Sequence, residues 1–153
     1  MSSIQKELKQ NKPFASKSQE AAVSLLRTSD LIRRNVAAVL EPYDITAQQY
    51  NVLRILRGAP DGISAKDIAG RLVTRDPDIT RLMDRLEKRG LLVRDRGNAD
   101  RRVVIHRLTQ TGLDLVNALD WPIHRMHRDI MRRLAPDRVK ALIAILEEIR
   151  IEV

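Results

Sequence analysis

The stretch SAKDIAGRLVTRDPDITRLMDRLEKRGLLVRDRGNADRRVVIHRL, residues 64–108, decides how this chain folds. Its sharpest local signal is Asp76–Pro77, because an Asp side chain accepts from the free amides of a helix start and Pro is favoured at the first helical position. A helix is predicted from there, with Ile79, Leu82, Met83 and Leu86 on one face and Gly90 as its left-handed stop. Upstream, Ser64 with Asp67 at the third helical position, and Ile63 facing Ile68 as a hydrophobic staple, open a shorter helix carrying Ile68, Ala69 and Leu72. Two helices joined by a short turn make a helix-turn-helix. Leu91 to Arg96 and Arg102 to Leu108 then read as two strands, reversed at Gly97, Asn98, Ala99 and Asp100. A helix-turn-helix followed by a hairpin is a winged helix.

Working outward, Thr46 and Gln49 form a capping box, with Ile45 and Tyr50 as the staple, for a helix that Gly58 and Pro60 end. Before it, Ala22, Leu25, Leu26, Ser29, Ile32, Val36, Ala37 and Leu40 mark a long amphipathic helix ending near Glu41 and Pro42, preceded by a frayed arm. After the hairpin, Thr109 caps a helix through Leu113, Val116 and Leu119, which Pro122 should kink before the stripe resumes at Ile123, Met126, Ile130 and Leu134. A last helix starts at Pro136 and shows Val139, Leu142, Ile143, Leu146 and Ile149. The expected class is therefore mostly α with a small β-hairpin wing (α+β). A single domain, 1–153, comprises a winged-helix DNA-binding lobe at 44–108 and a helical dimerisation region at 16–43 plus 109–153. The terminal helices carry more apolar surface than so small a winged helix can cover, which calls for a second copy of the chain.

Composition narrows the function. With 153 residues and no cysteine, thiol nucleophiles, cysteine-ligated metal centres and disulfides are excluded. No G-x-S-x-G, H-E-x-x-H or phosphate-binding glycine loop occurs, so an enzyme is not expected. His124 and His127, with Asp120 four residues before His124, have a spacing that two or three metal ligands could use, but ordinary polar helix positions explain them better, and no metal or cofactor is predicted. The longest run without a charged residue, Ile45 to Leu53, is far short of the roughly 18 apolar residues of a membrane span. MSSIQKELKQNKPF has no apolar core of a signal peptide, so a cytoplasmic protein is expected.

The formal net charge is +8, and Arg outnumbers Lys 21 to 7. Residues 1–60 and 61–107 each carry +4 while 108–153 is neutral. This favours a polyanionic partner for the front of the chain only. On a helical wheel, Pro77, Thr80, Arg81, Asp84, Arg85 and Lys88 lie opposite the apolar face of the predicted recognition helix. Arg81, near its start, is the expected base reader, with Thr80 and Arg75 behind it, while Arg85 and Lys88 suit phosphates. Asp78 completes the Asp–Pro–Asp start of that helix. Arg94, Arg96, Arg101, Arg102 and Arg107 make the hairpin basic.

These residues together resemble the MarR family of bacterial winged-helix transcriptional regulators. The resemblance runs from Ile45 to Gly112 on ITAQQYNVLRIL, SAKDIAGRL, PDITRLMDRLEKRGLLVR and DRRVVIHRLTQTG, ungapped over those motifs. It implies a triangular homodimer built from the terminal helices and a pseudo-palindromic operator of double-stranded DNA. It places Asp100 and Arg102 at the family's paired wing positions, with Asn98 and Arg101 beside them near the minor groove. Members bind aromatic acids near the junction of the two regions, which points to Tyr43, Trp121 and His124 as pocket residues for a small aromatic or phenolic effector. A repressor released by such a ligand is the leading expectation. A winged-helix architectural or protein-interaction module that binds nucleic acid through charge alone is the rival.

Overall fold

The computed structural model describes residues 2–75, 78–96 and 104–151. Its elements are helices α1 (Ser3–Glu7), α2 (Lys17–Leu40), α3 (Ala47–Arg57), α4 (Ala65–Arg71), α5 (Ile79–Lys88), α6 (Gln110–Met131) and α7 (Pro136–Arg150), with strands β1 (Ile63–Ser64), β2 (Leu92–Arg96) and β3 (Val104–Leu108). Capping chemistry sets most of the starts. The Thr46 hydroxyl accepts from Gln49 N–H while the Gln49 side chain accepts from Thr46 N–H, closing the box at α3. Ser64 accepts from Asp67 N–H at α4.

Three features differ from expectation. The arm before α2 is ordered: α1 forms, Ile4 is buried, and the Gln5 amide donates to the Lys12 carbonyl, a tie that no local periodicity reveals. The recognition helix α5 opens at Ile79 with Asp78 as its cap, two residues later than the Asp76–Pro77 signal implied, because Asp78 accepts from Arg81 N–H. Asp76 and Pro77 themselves lie outside the described residues. Lastly, the hairpin has a third strand. β1 pairs antiparallel with β3 through Ile63 opposite His106, giving the sheet order β1-β3-β2.

One core runs through the molecule. Val52, Leu53 and Leu56 of α3 meet Ile68 of α4, Met83 and Leu86 of α5, and Leu92 of β2, and the same cluster takes in Leu40 at the end of α2 and Val116 and Leu119 of α6. The winged helix is thus completed by the helices on either side of it. Burial of these side chains is each worth about 1.5–3 kcal/mol, so the lobe and its flanking helices are expected to melt together. At the far end of α3, the Arg57 guanidinium donates to both carboxylate oxygens of Asp120, at 2.7 and 3.0 Å, and to Asn117. Among the described residues, no helix is long and apolar enough to cross a membrane.

The tightest approach lies where α6 begins. Gly90, at φ +67°, turns the chain out of α5, and its carbonyl accepts from the Thr109 hydroxyl at 2.6 Å. Thr109 N–H donates to the Leu91 carbonyl, and the same hydroxyl accepts from Gly112 N–H to cap α6. Gly112 is where the helix comes closest to the turn: a Cβ there would stand 2.0 Å from the Leu91 carbonyl oxygen. Backbone cannot yield as a side-chain tip can, so overpacking of this kind costs about 1–3 kcal/mol or more. Gly112→Ala is expected to lower Tm by roughly 3–10 °C in thermal melts followed by circular dichroism; a variant as stable as the parent would show that α6 can shift freely on the lobe.

Candidate nucleic-acid interface

α5 presents the residues that the sequence nominates. Thr80, Arg81, Arg85 and Lys88 are all exposed, while Leu82, Met83 and Leu86 are buried. The guanidinium of Arg81 rests on Asp78 at 3.2 Å with 78% of its side chain exposed, so it is paired with its own helix cap and free to swing. Arg85 and Lys88 make no ion pair among the described residues. Arg75 is exposed just ahead of the helix. The turn leading to it is held by the Asn51 side chain of α3, which accepts from Val73 N–H at 2.9 Å, leaving the Val73 side chain almost wholly bare.

The wing divides. Arg94 of β2 does not point away with the strand's other face; it reaches back to α5, hydrogen-bonding Asp84 and standing 3.2 Å from Glu87. Its Nε faces Glu87 closely enough for charge attraction but not in line for a hydrogen bond. Arg107 donates to Asp95 across the hairpin at 2.8 Å and to the Asp61 carbonyl at 3.0 Å, so it too is occupied within the lobe. Arg96 lies on β2, and its side chain is outside the described residues, as are Asn98, Asp100, Arg101 and Arg102.

At the other end of α5, Arg89 donates to the Asp44 and Tyr43 carbonyls and pairs with the Asp44 carboxylate at 3.8 Å. Asp44 has φ +51°, a left-handed conformation that Asp tolerates better than most residues. The recognition helix is therefore tied to the α2–α3 junction through Arg89, to α6 through Gly90 and Thr109, and to the sheet through Arg94.

Two of the three residues named for a pocket share one cavity. Trp121 and His124 line a cavity of about 500 Å³ between α6 and α3, their rings stacked with centroids 6.1 Å apart. Tyr43 is not part of it; its turn lies by Arg89 instead. The aromatic wall on the other side is Tyr50, with Arg54 over its ring at 5.9 Å, and His127 and Ile123 complete the lining. Burial, with Arg54 and His124 nearby, holds the His127 imidazole below the usual histidine value. Asp120 borders the cavity with its carboxylate held low by the hydrogen bonds from Arg57. Among the described residues, no three His, Cys, Asp or Glu side chains converge as a metal site would require. Tyr50 and Arg54 stand at i and i+4 on α3, but nothing local says that this pair faces α6.

The sequence profile of the MarR family matches residues 45–104, the span from α3 through the start of β3. PecS, an HTH-type transcriptional regulator of Dickeya dadantii (strain 3937), is 34% identical over 125 residues, which are 80% of this chain and 75% of PecS. The chain belongs to the MarR family. Among solved structures, a MarR transcription factor from Planctomyces limnophilus is 40% identical, with a TM-score of 0.68 over 88% of this chain and 98% of that one. The transcriptional repressor CouR, solved bound to a 23-mer DNA duplex, is 28% identical with a TM-score of 0.78 over 91% of this chain and 99% of CouR. MarR-family proteins are transcriptional regulators and not enzymes.

Beneath the interface, His106 of β3 is buried and its Nδ1 has no partner. Burial is the main cause that pushes its imidazole below the usual value, with Arg94 adding to it, against a backbone hydrogen bond at Ile63. The unfolded chain, with a histidine pKa of about 6.5, therefore takes up a proton that the folded lobe resists. Stability contributed by neutral His106 is complete above that value and is lost as pH falls from about 6.5 toward the lower folded pKa. Melting curves from pH 8 to 5 should show His106→Gln losing less stability on acidification than the parent; parallel curves would remove His106 from the pH response.

Proposed function

We propose that this MarR-family protein is a homodimeric repressor that reads a pseudo-palindromic operator through α5 and the wing and leaves it when a small molecule binds. The carrying observation is the exposed cationic face of α5, with Arg81, Arg85 and Lys88 presented by a helix tied down at its C-terminal end and along its side. In this reading 44–108 is the DNA-binding lobe, acting on double-stranded DNA in the cytoplasm. Arg81 reads base edges with Thr80 and Arg75 behind it, Pro77 and Asp78 belong to the same DNA-binding helix start, Arg85 and Lys88 meet phosphates, and Arg101 and Arg102 clamp the minor groove from a wing that also carries Arg96, Asn98 and Asp100. Kinship to CouR, a repressor solved on DNA, supports it.

The dimer is supported by what the single chain leaves bare. No residue of α7 is buried, and Ile143, Ile145 and Ile149 are each more than half exposed, as are Leu26 of α2 and Trp121 of α6. A second copy covering 16–43 and 109–153 removes that surface from water. The effector reading rests on the cavity of Tyr50, Arg54, Trp121, His124 and His127, whose rings and Arg54 guanidinium suit a planar aromatic or phenolic anion, the bordering Asp120 carboxylate being already paired with Arg57.

The test separates reading from holding. A guanidinium one turn into the recognition helix can take guanine O6 and N7, worth about 1–3 kcal/mol of discrimination, whereas an ammonium two turns on meets phosphate. DNA flanking the protein's own gene supplies the operator, and a random duplex supplies the reference. Arg81→Ala is expected to collapse the ratio of the two affinities, and Lys88→Ala to preserve it while the salt slope falls by about one counterion. Equal affinity of the parent for both duplexes would favour the charge-only architectural module.

A further inference from the structure

The face of α5 that should meet DNA also carries carboxylates. Asp84 lies amid Thr80, Arg81, Arg85 and Lys88 on the exposed side of the helix, and Glu87 one turn further is 40% exposed. Anionic side chains on a groove-facing helix oppose a duplex that carries one negative charge per roughly 1.7 Å of axis. Both carboxylates are engaged by a single guanidinium from the neighbouring strand: Arg94 hydrogen-bonds Asp84 and stands 3.2 Å from Glu87, with only 30% of its own side chain exposed. A guanidinium can do this because its planar fork serves two acceptors at once, which a lysine ammonium does less well.

We propose that Arg94 is a charge-masking, positioning residue of the recognition helix and not a DNA contact: it offsets one of the two negative charges of Asp84 and Glu87 and fixes α5 against the wing strand β2. The inference rests on the reading of α5 as the DNA-facing helix. It also explains why a basic hairpin residue turns away from solvent. Exposed ion pairs contribute little to stability, so the value of this one lies in the field at the DNA face.

The experiment is a titration of the full-length protein on a random-sequence 30-base-pair duplex at several salt concentrations, where affinity is almost wholly electrostatic. Parent binding comes first, and if the parent binds no duplex at low salt, the DNA-binding reading itself fails. Given parent binding, Arg94→Gln is expected to weaken it about tenfold, and the triple variant Asp84→Asn/Glu87→Gln/Arg94→Gln to return it to the parent's level or above with the salt slope unchanged. Should Arg94→Gln fail to fold by circular dichroism, the triple variant, which leaves no unpaired charge, carries the comparison with the parent alone. A triple variant several-fold weaker than the parent, with a slope shallower by about 0.9, would mark Arg94 as a phosphate contact and overturn the proposal.

Discussion

The Thr109 hydroxyl is the fastener on which this structure depends. It donates to the Gly90 carbonyl at the end of the recognition helix and accepts from Gly112 N–H at the start of α6. One side-chain oxygen thus finishes one helix and begins another. The absence of a Cβ at Gly112 lets the two come within backbone contact, and Val116 and Leu119 then carry α6 straight into the core of the winged helix. Any rotation of α6 must move the turn that ends α5. Under the proposed function, a change in the cavity beside Trp121 would reach the exposed side chains of α5 by this route.

Charge is distributed to match. The carboxyl-terminal third is neutral overall and its last helix leaves an apolar face bare. Within the lobe, cations fall into two groups. Arg89, Arg94 and Arg107 are occupied by backbone carbonyls and neighbouring carboxylates, and act as internal ties. Among the described residues Arg85 and Lys88 make no ion pair, and Arg81 is held by its own cap. Net charge alone could not separate these groups, because each needs a partner that only the folded chain supplies.

What could be read in advance follows from the range of the interactions involved. Caps at Thr46, Ser64 and Thr109 act over three residues, and each was legible and is realised. The start of α5 was misplaced because Asp76 and Asp78 are both competent caps and Pro77 favoured the earlier one; the observed bond comes from Asp78. β1 leaves no mark in the sequence because two residues show no alternation, and its pairing depends on β3 more than forty residues away. Tyr43 is implied by the family's ligand site at the junction of the two regions, whereas Tyr50 and Arg54 occupy that wall by virtue of how α3 crosses α6.

The central claim is that the Thr109 fastener carries the recognition helix rigidly on α6 and so on the dimer. Because the chain has no cysteine, Lys88→Cys supplies a single thiol for a spin label on α5. Double electron–electron resonance between the two labels of a dimer measures the separation of the recognition helices directly. The account predicts one narrow distance distribution, compatible with helices about 34 Å apart to match one turn of DNA, and a broadened or displaced distribution when Thr109→Val removes the hydroxyl. No dipolar coupling between protomers, or a distribution that Thr109→Val leaves unchanged, would contradict it.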